Sequence, residues 1–231
     1  MRGKAGTVIM ISVLAGMMYI CHLLSAQLET HFEEGNIAKE TSKFTQGGVT
    51  VILDPGHGGI DAGKTGVNGE EEKEINLKIA LKIKKILDDE GVSTVMTRTT
   101  DERLAESQVE DLKARVDMMN AQNPSLVVSI HQNSYHDAGV SGAQVFYHSD
   151  SGEGQRAAQD IQEQLNKINP EHAKKVKANE TYYILKNTNV PVVIVECGFL
   201  SNYEEAERLS DESYQETVAE AVAEGIKKFC F

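Results

Sequence analysis

Three short aliphatic runs constrain this chain most, because each stops at a side chain able to bind a metal or move a proton. The first, Val49-Thr50-Val51-Ile52-Leu53, passes through Asp54-Pro55-Gly56 to His57-Gly58-Gly59. The second, Leu126-Val127-Val128-Ser129-Ile130, meets His131, and the third, Val192-Val193-Ile194-Val195, meets Glu196. An apolar run broken by glycine and proline reads as a buried strand feeding a tight loop. Helical stripes lie between the runs. Strands alternating with helices predict an α/β domain, a three-layer α/β/α stack around a mostly parallel central sheet. Such sheets bind ligands outside the carboxyl ends of their strands. His57, His131 and Glu196 are therefore expected along one edge.

The first helix is expected from about Glu72 to Glu90, stopped by Gly91. Ile75, Ile79, Ile83 and Ile86 form its buried stripe. At roughly 100° per residue, Glu72 projects into that stripe and Glu71 lies at its edge, while Glu70 and Glu74 point away. Acids at a helix start complement its dipole. That accounts for their number but not for a carboxylate facing the sheet, where an unpaired charge is costly. A cation at that spot resolves the conflict.

Further along, Val92–Met96 is the next expected strand. Val109, Leu112, Val116 and Met119 mark a second helix that ends near Asn123-Pro124. Ala143–Tyr147 follows as a strand. A helix over about Glu153–Ile168 carries Ala158, Ile161, Leu165 and Ile168 on one face. Residues 170–179 are charged and poorly patterned. Tyr182–Leu185 is expected to be a short strand and Pro191–Val195 the last one. Asn202 with Glu205 reads as an N-cap pair, and Val218, Val222, Ile226 and Phe229 stripe the final helix.

The N-terminus sets Arg2 and Lys4 before an apolar run over about 5–24, followed by Glu29, Glu33 and Glu34. About 20 apolar residues suffice to cross a bilayer, and the leading positive charge predicts a cytoplasmic N-terminus with the remainder exported. A cleaved signal peptide has a similar look, but Leu24 spoils a small-x-small cleavage site before Gln27, which favours an uncleaved anchor. Residues 1–26 are thus expected to be a membrane segment, 27–48 a polar stalk, and 49–231 the catalytic domain. The formal charge of −12 comes with no basic stripe and argues against a nucleic-acid partner. Three scattered cysteines, Cys21, Cys197 and Cys230, make no disulfide framework. Cys197 reads as a small buried residue.

Two imidazoles and a carboxylate form a common catalytic zinc set, with a further carboxylate as proton carrier. Spacing leaves open which of Glu72 and Glu196 is the ligand and which the base. It also leaves open that the two histidines only bond to loop backbone.

Four blocks carry a resemblance. Asp54-Pro55-Gly56-His57-Gly58-Gly59, Glu72-Lys73 with Asn76-Leu77, Ser129-Ile130-His131-Gln132-Asn133, and Val195-Glu196-Cys197-Gly198-Phe199-Leu200-Ser201-Asn202 resemble the signature blocks of the zinc-dependent N-acetylmuramoyl-L-alanine amidases, in the family's order. By matched position, the resemblance implies Zn2+ on His57, Glu72 and His131, with Glu196 as the catalytic carboxylate. It implies hydrolysis, by zinc-activated water, of the amide between N-acetylmuramic acid and the L-alanine of the peptidoglycan stem peptide. The single domain behind one apolar segment, with Ser134-Tyr135 and Gly142-Ala143-Gln144-Val145-Phe146-Tyr147, is similar to the spore-cortex amidases of endospore formers. That implies a role in forming muramic-δ-lactam, with the domain tethered outside the cytoplasm in the space around the forespore. Another zinc hydrolase of the envelope, a peptidase or deacetylase, and a non-catalytic wall-binding module are the competing readings. With no wall-binding segment visible, targeting falls to the anchor or to an accessory protein, which could also assist zinc loading.

Other polar residues have a plainer reading. His136, His148, His172, His22 and His31 read as solvated. Asp54 either orients His57 or shapes the turn, and Asn133 either holds substrate or caps a loop. Arg98 with Asp101, and Arg115, read as ion pairing beneath the site. Lys186-Asn187-Thr188-Asn189 either lines the peptide groove or simply connects two elements.

Overall fold

The structure, a computed structural model, describes residues 48–231. The expected membrane segment and nearly all of the stalk lie outside them. Among the described residues no helix is long and apolar enough to cross a membrane.

The elements alternate as the sequence predicts. They are β1 (Thr50–Pro55), α1 (Glu72–Asp89), β2 (Ser93–Met96), α2 (Gln108–Gln122), β3 (Leu126–Asn133), β4 (Gln144–Tyr147), α3 (Gly152–Ile168), β5 (Lys177–Ala178), α4 (Tyr183–Asn187), β6 (Val192–Phe199), α5 (Tyr203–Ser210) and α6 (Glu212–Cys230). They build one six-stranded sheet of order β2-β1-β3-β6-β4-β5. The strands β2, β1, β3 and β6 are mutually parallel, while β4 runs antiparallel to β6 and carries β5 beside it.

Side chains alternate across the central strands, so each strand feeds two cores. Val51, Leu53, Val128, Ile130, Val193 and Val195 pack on the face covered by α1, α3 and α6. Ile52, Val127, Val192 and Ile194 pack on the other face with Val116 and Met119 of α2 and with Ile184 and Leu185 of α4. Both layers are needed because β1 and β6 are buried almost throughout. In α1, Ile75, Ile79, Ile83 and Leu87 are buried. Gly91 at φ +79° reverses the chain there, a conformation glycine adopts freely.

Three expectations need correction. Tyr182–Leu185 is not a strand but leads into the short helix α4. Four residues are too few for periodicity to tell the two apart, and the Asn179 side chain turns the chain first, accepting from the backbone N–H groups of Thr181 and Tyr182. Val109 is not part of the buried stripe of α2, being 76% exposed in the first turn of that helix, where it borders a cleft instead of the core. Residues 170–179, unpatterned in sequence, supply a 3-10 turn and the edge strand β5.

Candidate metal centre

The parallel sheet brings the ends of the three apolar runs together, but β3 and β6 do not stop there, continuing to Asn133 and Phe199. β1 stops at Pro55, and the backbone N–H of Gly56 donates to the Ile130 carbonyl, tying the following loop to β3. His57 rides on that loop with φ +63°. His131 lies within β3 and Glu196 within β6, in lateral register. Just beyond them β6 carries one extra residue relative to β3, a bulge that re-aims the side chains at this edge.

Glu72 opens α1 and is 4% exposed, inward-facing as the stripe predicts. Its Oε1 lies 3.3 Å from His57 Nε2 and 3.0 Å from His131 Nδ1, and accepts from the Gln132 backbone N–H at 3.1 Å. Its Oε2 accepts from the Lys64 backbone N–H at 2.8 Å. One ligand-type atom from each of His57, Glu72 and His131 falls within 4.8 Å of the others. Burial works against the Glu72 carboxylate, but the two imidazoles outweigh it and hold the carboxyl far below its usual range. For His57, burial opposes the charged ring, yet Glu72 and Asp61 lift it to about 9.

Glu196 is 8% exposed, and its Oε2 has no hydrogen-bond partner among the described residues. Burial raises its carboxyl to about 7. It lines a cleft of about 310 Å³ together with His57 and His131. The cleft's apolar wall comes from Val109 and Leu112 of α2 and from Tyr182, Tyr183 and Ile184.

Asp54 does not orient His57. It is fully buried and accepts from Thr97 Oγ1, Ser129 Oγ and Arg115 Nη1 at 2.6, 2.7 and 2.8 Å. The carboxylate beside the ring is instead Asp61, whose Oδ2 lies 3.0 Å from His57 Nδ1. Sequence reading passed over Asp61; a carboxylate four residues past a candidate ligand, across a glycine pair, was the signal available. Arg98 does not pair with Asp101. Its guanidinium donates to the carbonyls of Pro55, Gly56, Lys73 and Thr100, and Asp101 pairs with Lys73 at 2.9 Å. Arg115 does form ion pairs beneath the site, with Asp54 and Asp111. Asn133 Oδ1 accepts from the Ser134 N–H, a loop-shaping contact.

Among the remaining histidines, His136 is exposed against Tyr135, and His172 meets Ser141 Oγ at 2.9 Å. His148 accepts from the Asp150 N–H. His22 and His31 fall outside the described residues. Lys186, Thr188 and Asn189 line a separate hollow with His148 and Ser151, not the cleft. Asn202 caps α5 as expected, but Glu205 turns back to Phe199 N and Gly142 N instead of to its cap residue. Cys197 and Cys230 are free thiols.

Residues 51–228 match the family model described as N-acetylmuramoyl-L-alanine amidase. The chain belongs to this amidase family. It is a peptidoglycan amidase, hydrolysing the bond between N-acetylmuramic acid and L-alanine. Its relatives include the germination-specific N-acetylmuramoyl-L-alanine amidase of Bacillus subtilis, 34% identical over 190 residues that cover 79% of this chain and 80% of that one. The amidase LytC of the same organism is 31% identical, with 77% of this chain matching 35% of that longer protein. Among solved structures, the CwlD amidase of Clostridioides difficile, in complex with the GerS lipoprotein, superposes with a TM-score of 0.76 at 37% identity, covering 78% of this chain and 98% of that one. The catalytic domain of the amidase CwlV from Bacillus (Paenibacillus) polymyxa gives 0.71 at 29% identity, with 78% and 97% covered.

Proposed function

We propose that this amidase is a zinc enzyme of the spore cortex, with His57, Glu72 and His131 holding the metal and Glu196 moving the proton. The convergence of two imidazoles on one buried carboxylate, beside a second buried carboxylate with a free oxygen, carries the reading. The donor set fits zinc, which takes imidazole and carboxylate ligands and leaves room for water in catalytic sites. The backbone fits it too: a side chain at Gly56 would run into the His131 ring, and one at Gly63 into Glu72 and His57.

When bound, zinc supplies a Lewis acid for the scissile carbonyl and acidifies water to near-neutral pKa. The rest of the chemistry falls to the chain. Glu196, its carboxyl set near neutrality by burial, takes a proton from the attacking water at Oε2 and returns it to the alanine nitrogen as the amide breaks. Leu112, Tyr182 and Ile184 give the cleft beside Glu196 an apolar wall against which the substrate can pack.

Likeness to the germination-specific amidase of Bacillus subtilis supports the cortex as substrate, with muramic-δ-lactam formation as the outcome. The apolar stretch over 5–24 behind Arg2 and Lys4 supports a membrane anchor, with the catalytic unit outside the cytoplasm around the forespore. The lipoprotein seen with the Clostridioides amidase supports an accessory protein here, for targeting or for zinc loading.

Digestion of purified cortex followed by mass spectrometry tests the reading. Free stem peptides beginning with L-alanine are expected, lost on chelation and restored by zinc. Release of acetate or of shortened peptides instead would rule it out.

A further inference from the structure

We propose that Asp61 is the positioning residue of His57, and that helix α2 holds that histidine at both ends. The inference rests on the zinc reading above and deepens it.

His131 and Glu72 are fixed by regular structure, one inside a strand and one in a helix. His57 has no such support. It sits on a loop, in a left-handed backbone conformation that residues other than glycine seldom adopt. Something must hold it there. On the backbone side, Arg115 of α2 donates through Nη2 to the His57 carbonyl at 2.6 Å and through Nη1 to the Pro55 carbonyl at 2.8 Å. On the ring side, Asp61 Oδ2 lies 3.0 Å from Nδ1. The same oxygen accepts from Gln108 Nε2 at 2.9 Å, and Gln108 is the first residue of α2. Asp61 Oδ1 accepts from the Gly63 N–H at 3.1 Å, closing the loop on itself.

An ionised carboxylate only accepts, so Nδ1 must be the protonated nitrogen. That leaves the Nε2 lone pair for a cation on the Glu72 side, where Nε2 already points. Asp61 thus selects the tautomer and the ring angle, the role that outer carboxylates play behind metal-binding histidines. Gln108 keeps Asp61 from turning away, and Arg115 keeps the backbone from relaxing.

The test measures zinc affinity of the full-length chain by competition with a chromophoric chelator, alongside the thermal midpoint of the metal-free protein. Asp61→Ala is expected to weaken zinc about 10- to 100-fold. Asp61→Asn, whose amide oxygen still accepts, should recover part of that loss. Gln108→Leu should weaken zinc by less than Asp61→Ala does, a partial version of the same effect. A purely structural role would lower the thermal midpoint and leave the affinity of folded protein unchanged. Asp61→Ala binding zinc within about twofold of the parent overturns the assignment, and parental affinity in Gln108→Leu overturns the part given to α2. If Asp61→Ala does not fold, Asp61→Asn and Gln108→Leu decide it by the same measure. His57→Ala serves as the control. If it keeps parental zinc affinity, the metal reading itself fails and this inference with it. A His57-dependent but Asp61-independent affinity removes only the present inference.

Discussion

In the parallel pairing of β3 with β6, Glu196 stands beside His131. Register partners on adjacent parallel strands share a face, so this pairing alone puts the buried carboxylate against one of the imidazoles that meet Glu72. The two residues are far apart in sequence and are united only by hydrogen bonds between strands.

Replacing Glu196 with glutamine keeps the shape and removes the proposed proton carrier. Turnover on cortex fragments should fall by about 10²- to 10⁴-fold, with zinc content per chain unchanged. Chromatography of released peptides and metal analysis of the same sample check both halves. A variant that keeps turnover would move the proton work elsewhere.

Metal-free protein should be most stable on the mildly acidic side, at about pH 5. Glu196 is raised from 4.5 to about 7 by burial, and His57 from 6.5 to about 9 by Glu72 and Asp61 acting against burial. A group raised on folding stabilises fully below its unfolded value and loses that contribution as pH climbs through its folded value. Stability therefore drops between pH 4.5 and 7 through Glu196 and between 6.5 and 9 through His57. Glu72 and Asp54 are held low, so their contribution is present above their unfolded values and is lost on acidification. Zinc affinity should run the other way from pH 6.5 to 9, because the metal displaces a proton from His57. Thermal melts with and without zinc across this range test the opposed trends.

Gly56→Ala should weaken the proposed metal site without unfolding the domain. A Cβ there would lie 2.1 Å from His131 Cε1 and 2.3 Å from Nε2, so the ring must move. Zinc affinity should fall about tenfold or more, with the far-ultraviolet circular dichroism spectrum unchanged. Unaltered affinity would show that His131 has room to spare.

Gly225→Ala tests the packing of α6 on α3. Alanine favours a helix over glycine by about 1 kcal/mol, yet a Cβ at this position would come within 2.4 Å of Ile161 Cα. The contact is with backbone, which cannot step aside, and overpacking typically costs about 1–3 kcal/mol. Urea unfolding should show a net loss of up to about 2 kcal/mol. A stabilised variant would mean that the two helices can part.

The sequence by itself determined the α/β alternation, the inward face of Glu72 and the expectation that His57, His131 and Glu196 share one edge of the sheet, although β3 and β6 run on past His131 and Glu196. These follow from period, from glycine and proline breaks, and from the cost of burying an unpaired charge, all properties of one segment at a time. Only the tertiary structure decided what each polar group meets. Asp54 is nearer to His57 in sequence than Asp61 is, yet it accepts from Ser129 and Arg115, because its strand turns it into the core. Asp61 reaches the ring because the glycine loop doubles back. Tyr182–Leu185 had too few residues to show a period, and packing against the second face of the sheet settled α4 as a helix. Local pattern fixes which face a side chain takes. Its partner depends on where the rest of the chain returns, and that is a property of the packed whole.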